Sequence, residues 1–133
     1  MRGRILAVLC VAALVAAVPA LGGADAAKVA VTLNEFKVIP VPTKVKPGSV
    51  TFAVRNTGKL EHELVVLKTN LAPGKLPIQG TKAKEVGRVG RLAAVKPGKS
   101  GTLTLTLAAG KYVLLCNLPA HYGAGQYAGF TVG

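Results

Sequence analysis

Apolar and polar residues alternate with a period of two through much of this chain. Val50, Phe52 and Val54 alternate with Thr51 and Ala53 in the segment SVTFAVRN. The segment GTLTLTL repeats the pattern, with leucine at every second position and threonine between. Such alternation predicts half-buried antiparallel strands whose apolar side chains face the core and whose threonines face solvent.

Five more short segments have β-strand composition: KVAVTL, EFKVI, HELVVLK, KYVLLC and YAGFTV. Turn residues separate the segments, and Val-Lys-Pro-Gly precedes a strand at 45–48 and again at 95–98. No segment has the pattern of a long amphipathic helix. This spacing of strands and turns predicts an all-β sandwich or barrel.

Residues 70–94 break the alternation and are rich in Gly, Pro and Lys. We interpret them as a long connection across the sandwich, with a short helical turn near residues 82–86. Glu85 is the single acidic residue of this segment, against five basic ones: Lys75, Lys82, Lys84, Arg88 and Arg91. The connection is therefore a solvated loop or, alternatively, a docking face for an acidic partner.

The first 26 residues have the organisation of a secretory signal peptide. A basic MRGR precedes the apolar stretch ILAVLCVAALVAAV and the small-residue site Ala24-Asp25-Ala26. We predict a cleaved signal at residues 1–26, a single mature domain at residues 27–133, and export to the periplasm or the outer face of the cell envelope. The alternative is an N-terminal segment that is retained as a membrane anchor.

Cleavage would change both the cysteine count and the charge. Cys10 would leave with the signal, so that Cys116 would be the single cysteine and would need a metal, a reaction or a second chain as its partner. The mature domain would have a formal net charge of about +11, which favours an acidic protein partner or an anionic envelope surface. Nucleic acid is not expected, because the chain has no nucleic-acid-binding motif.

The segment CNLPAHYGAGQ, residues 116–126, holds the candidate chemistry. Cys116 ends a predicted strand, and the loop after it carries His121 and Gln126. His62, the other histidine of the chain, begins the apolar strand HELVVL. If these two strands are neighbours, one thiolate and two imidazoles meet at one end of the sandwich. They form the trigonal ligand set of a blue copper site, in which Met or Gln is a weak axial ligand.

Two motifs carry a family resemblance, N-x-G-x-x-x-H at residues 56–62 and C-x4-H-x4-Q at residues 116–126. Together they resemble the cupredoxin family, in particular small bacterial plastocyanin- and azurin-like domains of the sulfocyanin kind. The resemblance covers the mature chain and implies a Greek-key β-sandwich or barrel of seven to eight strands. It also implies one type 1 copper ion, with His62, Cys116 and His121 as strong ligands.

Gln126 stands where the family pattern usually has methionine. The mature chain has no methionine, because Met1 is the only one in the sequence. We expect Gln126 to be the axial ligand through its amide oxygen, with a lower reduction potential than a methionine variant would have. The alternative is a three-ligand site with the Glu61 carbonyl nearby.

Residues next to the ligands are candidates for supporting roles. Glu63 and Asn117 could tie the two ligand loops together, and Asn56 belongs to the first motif. The alternative is that these are ordinary surface residues. In the family, an apolar patch around the exposed histidine passes electrons to partners. The residues around His121 that would form it here are Leu118, Pro119, Ala120 and Tyr122.

The resulting functional hypothesis is an exported, monomeric electron carrier that is not an enzyme. Its partners would be an acidic redox protein or a membrane-bound oxidoreductase. A copper-delivery protein could use the same ligands, although the methionine-rich or histidine-rich clusters of such proteins are missing. A zinc hydrolase is a further alternative, but the sequence offers no obvious general base for it beyond Glu61 or Glu63. A Cys116–His121 thiol hydrolase is another, but it gives no role to His62 or Gln126.

Overall fold

The computed structural model describes residues 26–133, and eleven strands form in this part of the chain. They are β1 (Ala27–Asn34), β2 (Lys37–Val41), β3 (Lys44–Val45), β4 (Gly48–Asn56), β5 (His62–Lys68), β6 (Ile78–Gln79), β7 (Lys82–Ala83), β8 (Arg88–Val95), β9 (Ser100–Leu107), β10 (Gly110–Leu115) and β11 (Tyr127–Val132). Eight of these strands have five residues or more. The all-β prediction is confirmed.

The strands form two sheets and a small hairpin. One sheet has the order β2-β1-β4-β9, the other has the order β3-β11-β10-β5-β8, and β6 pairs with β7. Most neighbours are antiparallel, but β1 runs parallel to β4 and β11 runs parallel to β3. The β5–β10 pair is antiparallel, so the first residue of β5 and the last residue of β10 lie at the same end of the sandwich.

The main core lies between the two sheets, as the alternation predicted. Val50, Phe52 and Val54 of β4 are buried in it, and the rings of Phe52 and Phe130 meet edge to face with centroids 5.5 Å apart. Thr51 on the outer face instead hydrogen-bonds Thr104 across the strand pair at 2.9 Å. Because this face of the sheet is solvated, only every second residue of β4 needs to be apolar.

A second apolar cluster covers the outer face of the β5–β10 pair. Val65, Leu67, Val113 and Leu115 pack there against side chains from the 70–94 connection and the 116–126 loop, namely Leu76, Ala83 and Tyr122. Strands β5 and β10 are thus buried on both faces, which explains why HELVVLK and KYVLLC are continuous apolar runs rather than alternating ones.

The interpretation of residues 70–94 as a connection without strands is wrong. This segment contains the β6–β7 hairpin and most of β8, and its helical turn is a 3-10 turn at Pro73–Lys75 rather than near residues 82–86. Gly90, which suggested a loop, is a strand residue. A Cβ on Gly90 would lie 2.6 Å from a methyl carbon of Leu105 in β9, so glycine lets the two strands approach each other.

The predicted signal peptide at residues 1–26 lies outside the described residues, apart from Ala26 itself. Over residues 26–133, no helix has the length and apolarity that crossing a bilayer requires.

Candidate metal centre

The two sequence motifs meet at one end of the sandwich. His62 is the first residue of β5, and Cys116 directly follows β10. The loop from Cys116 to Gln126 returns to β11, and a hydrogen bond from the Cys116 amide to the Gln126 carbonyl, 3.1 Å long, closes it. Strand pairing and loop closure together bring His62, Cys116, His121 and Gln126 to one place.

Three donor atoms converge there. The Nδ1 atoms of His62 and His121 are 3.3 Å apart, and Cys116 Sγ lies 3.9 Å from the first and 3.4 Å from the second. A point equidistant from three atoms with these separations lies about 2.1 Å from each, close to the ~2.0–2.1 Å of metal–nitrogen and ~2.3 Å of metal–sulfur bonds in zinc sites. The donor atoms are therefore spaced to hold one metal ion without a change of fold.

Gln126 is fully buried against this triangle of donors. Its Nε2 donates to the Asn34 carbonyl at 2.9 Å, and the Lys37 carbonyl lies 3.4 Å away. Carbonyls only accept hydrogen bonds, so these two fix which end of the amide is nitrogen. The amide oxygen then lies 3.0 Å from His121 Nδ1, and Nε2 itself lies 3.1 Å from His62 Nδ1, so both ends of the amide contact the donors.

The Cys116 sulfur lies in a buried pocket with backbone donors. The Glu63 amide donates to Sγ at 3.3 Å. Burial raises the pKa of the Cys116 thiol above its ordinary value and the Glu63 carboxylate adds to this, while backbone hydrogen bonds from Glu63 and Leu118 oppose it. The thiol by itself is thus a poor nucleophile, whereas a coordinated metal cation would deprotonate it.

The two histidines differ in exposure. His62 is fully buried, whereas His121 is partly exposed and its ring contacts the ring of Phe36, with centroids 5.1 Å apart. Burial, together with the nearby His62, lowers the pKa of His121, against the Gln126 hydrogen bond and the charges of Glu35 and Glu63, which raise it. The lowered pKa favours the neutral imidazole that a metal requires.

Sequence reasoning missed Glu35. This residue lies between β1 and β2, and its Oε1 accepts hydrogen bonds from the Lys59 amide (2.9 Å), the Leu60 amide (2.7 Å) and His62 Nε2 (2.9 Å). The backbone hydrogen bonds of Leu60 and Lys59 are the largest causes that lower the pKa of Glu35 to about 2. No motif identified it, because it precedes His62 by 27 residues.

The three predicted supporting residues are all buried. Asn56 accepts from the Gly58 amide and donates to the Leu60 and Val95 carbonyls, which shapes the loop before His62. Asn117 exchanges two hydrogen bonds with the backbone of Ala83 and donates to Glu85.

The two ligand loops are linked, but only indirectly. Arg91 lies 3.7 Å from the Glu63 carboxylate and 2.7 Å from that of Glu85, which in turn accepts from Asn117. The expectation that Glu63 and Asn117 tie the loops together therefore needs Arg91 and Glu85 as intermediates.

The predicted docking patch needs one correction. Pro119 and Ala120 are exposed and Leu118 is half-buried, but Tyr122 is only 4% exposed. The Tyr122 hydroxyl accepts from the Leu76 amide and donates to the Pro73 carbonyl, and its ring fills the second apolar cluster. Tyr122 is thus a core residue that anchors the 70–94 connection, not a surface for a partner.

Comparison with solved structures identifies the architecture. Auracyanin from the photosynthetic bacterium Roseiflexus castenholzii superposes with a TM-score of 0.56 at 23% identity, over 84% of this chain and 99% of that one. Rusticyanin from Thiobacillus ferrooxidans gives 0.65 at 19% identity, over 84% and 79% of the two chains. The chain has the cupredoxin fold.

A third cupredoxin, an azurin from the methylotroph Methylomonas sp. strain J, superposes with a TM-score of 0.60 at 12% identity, over 80% of this chain and 98% of that one. Rusticyanin is described as a copper protein. No protein-family model and no curated protein matches the sequence.

Proposed function

We propose that this chain is a type 1 copper protein that carries single electrons between protein partners outside the cytoplasm. The observation that carries the proposal is the convergence of one thiol sulfur and two imidazole Nδ1 atoms, with an amide oxygen beside them. This donor set is that of blue copper electron-transfer sites. The cupredoxin fold and the copper of rusticyanin support the same assignment.

When bound, copper supplies a one-electron couple between Cu(II) and Cu(I). The protein holds the donors fixed. His62 begins β5, and Cys116 directly follows its paired strand β10. The Glu63 amide contacts the Cys116 sulfur, and Gln126 contacts His121. Such a rigid framework changes little on electron transfer, which keeps the reorganisation small. One electron enters from a reduced donor protein and leaves to an oxidised acceptor protein, with no bond made or broken.

Burial argues against the alternatives. His62, Cys116 and Gln126 are each 0% exposed, so a bound ion would be enclosed, which opposes rapid copper delivery. A zinc hydrolase needs an open fourth coordination position for water. Here the buried Gln126 amide already lies next to the three donor atoms, where that water would bind. A thiol hydrolase needs an accessible, low-pKa cysteine, whereas Cys116 is buried and its pKa is raised. We infer a carrier rather than an enzyme.

Partner and location complete the proposal. The signal-like residues 1–26 support export to the periplasm or the outer face of the envelope. Pro119 and Ala120 are exposed beside His121, the most exposed of the three strong ligands, and this is the surface through which the electron would pass. The basic charge of the domain favours an acidic redox protein or an acidic membrane-bound oxidoreductase as partner, and the carrier is proposed to act as a monomer.

The test is titration of residues 27–133 with Cu(II), followed by visible and electron paramagnetic resonance spectroscopy. We expect one equivalent to give an intense blue colour with narrow copper hyperfine splitting, and Cys116→Ser to abolish both. A reversible one-electron redox titration should follow. A colourless protein would overturn the proposal, and so would the spectrum of ordinary square-planar copper that is the same in Cys116→Ser. Rapid loss of copper to a weak chelator would instead favour copper delivery.

A further inference from the structure

Glu35 makes a contact that the proposed function leaves unexplained. Three N–H groups converge on its Oε1: the backbone amides of Lys59 and Leu60 and the Nε2 of His62. The two amides belong to the loop just before His62, so the carboxylate binds the loop and the ring of the ligand together. The side chain of Glu35 is about one quarter exposed (27%), while His62 is fully buried.

We propose that Glu35 is a positioning residue that selects the tautomer of His62 and, through its charge, lowers the reduction potential of the site. The inference deepens the proposed copper function and rests on it. A neutral imidazole has one N–H and one lone pair, and an ionised carboxylate can only accept. The proton of His62 must therefore lie on Nε2, which leaves the lone pair of Nδ1 directed at the other donors.

The distances agree with this assignment. His62 Nδ1 lies 3.3 Å from His121 Nδ1 and 3.9 Å from Cys116 Sγ, on the side of the ring away from Glu35. A ring turned to place Nε2 at the donors would lose the carboxylate. Gln126 Nε2 lies 3.1 Å from the same Nδ1 and, because an amide nitrogen only donates, favours the same tautomer. The hydrogen bond to Glu35 adds to this preference and also sets how the ring is turned.

The charge of the carboxylate has its own consequence. A negative charge one imidazole away from the metal stabilises Cu(II) more than Cu(I), because the oxidised site carries one more positive charge. Glu35 should therefore lower the reduction potential, in the same direction as an amide oxygen ligand. Replacing Glu35 with Gln removes the charge and keeps an oxygen that can accept the three N–H groups.

Gly58 offers a second, independent way to move the carboxylate. A Cβ on Gly58 would lie 2.7 Å from Glu35 Oε2, which is closer than carbon and oxygen can approach without a shift. The backbone of Gly58 is not among the positive-φ glycines, so alanine is compatible with the turn. Gly58→Ala should thus push the flexible carboxylate away from His62 while both residues stay chemically intact.

The first experiment measures the tautomer of His62 in the metal-free protein by long-range ¹H–¹⁵N NMR. We expect the Nε2–H form in the wild type and in Glu35→Gln, and a mixture of both tautomers in Glu35→Ala and Gly58→Ala. Gly123→Ala is the matched glycine control, because a Cβ there would meet only the Ala120 oxygen at 3.8 Å. An Nδ1–H wild type, or an unchanged tautomer in Glu35→Ala, would overturn the proposal.

The second experiment uses the copper-loaded protein. Glu35→Gln should raise the reduction potential, and Glu35→Ala should also weaken Cu(I) binding by about tenfold or more, measured against a coloured chelator. Glu61→Gln removes the same charge from an exposed side chain next to His62 in the sequence, and the potential should shift far less because solvent screens that charge. Equal shifts in Glu35→Gln and Glu61→Gln would refute a specific role for Glu35.

The two proposals fail in different ways. A wild type that never becomes blue, yet has the Nε2–H tautomer lost in Glu35→Ala, contradicts the copper function and keeps the orienting role of Glu35. If the wild type is blue but substitutions at Glu35 change neither the His62 tautomer nor the reduction potential, only the further inference is contradicted.

Discussion

The amide of Gln126 contacts the Asn34 backbone and both histidine ligands. Its nitrogen donates to the Asn34 carbonyl, and this leaves its oxygen 3.0 Å from His121 Nδ1. A methionine side chain could lie in the same space but could not donate to Asn34. The residue therefore supports the fold whether or not a metal is bound. A substitution at Gln126 can be tested for stability in the metal-free protein and for redox behaviour in the copper-loaded protein.

Gln126→Met should therefore have two measurable effects. The reduction potential should rise, because a soft thioether favours Cu(I) more than an amide oxygen does. The free energy of unfolding of the metal-free protein should fall by about 1–3 kcal/mol, because the Asn34 carbonyl loses its donor. Redox titration and urea denaturation measure these effects. Gln79→Met, at an exposed position of β6, is the control, and an unchanged potential in Gln126→Met would exclude axial ligation.

At this scale, the sequence reveals the ligands but not all of their neighbours. Cysteine and histidine are the scarce residue types of residues 27–133, with one cysteine and two histidines, so few alternatives competed with them. Glu35 has no such signal, because its contact with His62 forms only when the β1–β2 turn folds onto the loop at 58–60. Tyr122 was misplaced for the same reason: a tyrosine beside a ligand can face solvent or the core, and only the packing partners decide.

Secondary-structure elements were predictable where apolar residues alternate with polar ones or form a continuous run. Strands β4 and β9 alternate cleanly and were found, as was the strand that leads to Cys116. Strand β8 was missed because it lies at a sheet edge, where exposed Val89 and strand residue Gly90 break the pattern. Strand β8 is stabilised by its pairing with β5 and by the close approach of Gly90 to Leu105. Neither contact can be recognised in the sequence of β8 alone.

The junction between the ligand loop and the β6–β7 hairpin rests on Asn117. Its side chain exchanges two 2.9 Å hydrogen bonds with the Ala83 backbone, and all of these groups are buried. Asn117→Ala should lower the free energy of unfolding by about 1–3 kcal/mol and speed hydrogen exchange at the Ala83 amide. Denaturation and exchange mass spectrometry test this, with exposed Asn70→Ala as control. Equal exchange at Ala83 in both variants would show that Asn117 does not secure the hairpin.

In the molecule as a whole, positive charge lies both beside the candidate site and far from it. Thr81 accepts a hydrogen bond from the Ala120 amide in the ligand loop, which places the exposed Lys82 and Lys84 beside that loop. Lys28 lies at the start of β1, whose other end, Asn34, holds Gln126. Lys28 and Asn34 are six residue steps apart along the strand, roughly 20 Å. Positive charge is therefore present both near the site and far from it, and variants can separate local steering from net charge.

Electron exchange with a small acidic cytochrome should depend on the near lysines. At low ionic strength, Lys82→Glu combined with Lys84→Glu should slow the bimolecular rate by about tenfold, the lower end of what electrostatic steering provides. At 0.1 M salt, where roughly 20 Å is about two Debye lengths, Lys28→Glu should slow the rate much less than the near pair does. Stopped-flow rates over a salt series measure both, and the difference should vanish at high salt because exposed charges are screened. Equal slowing by near and distant lysines would mean that net charge, rather than a docking face beside His121, attracts the partner.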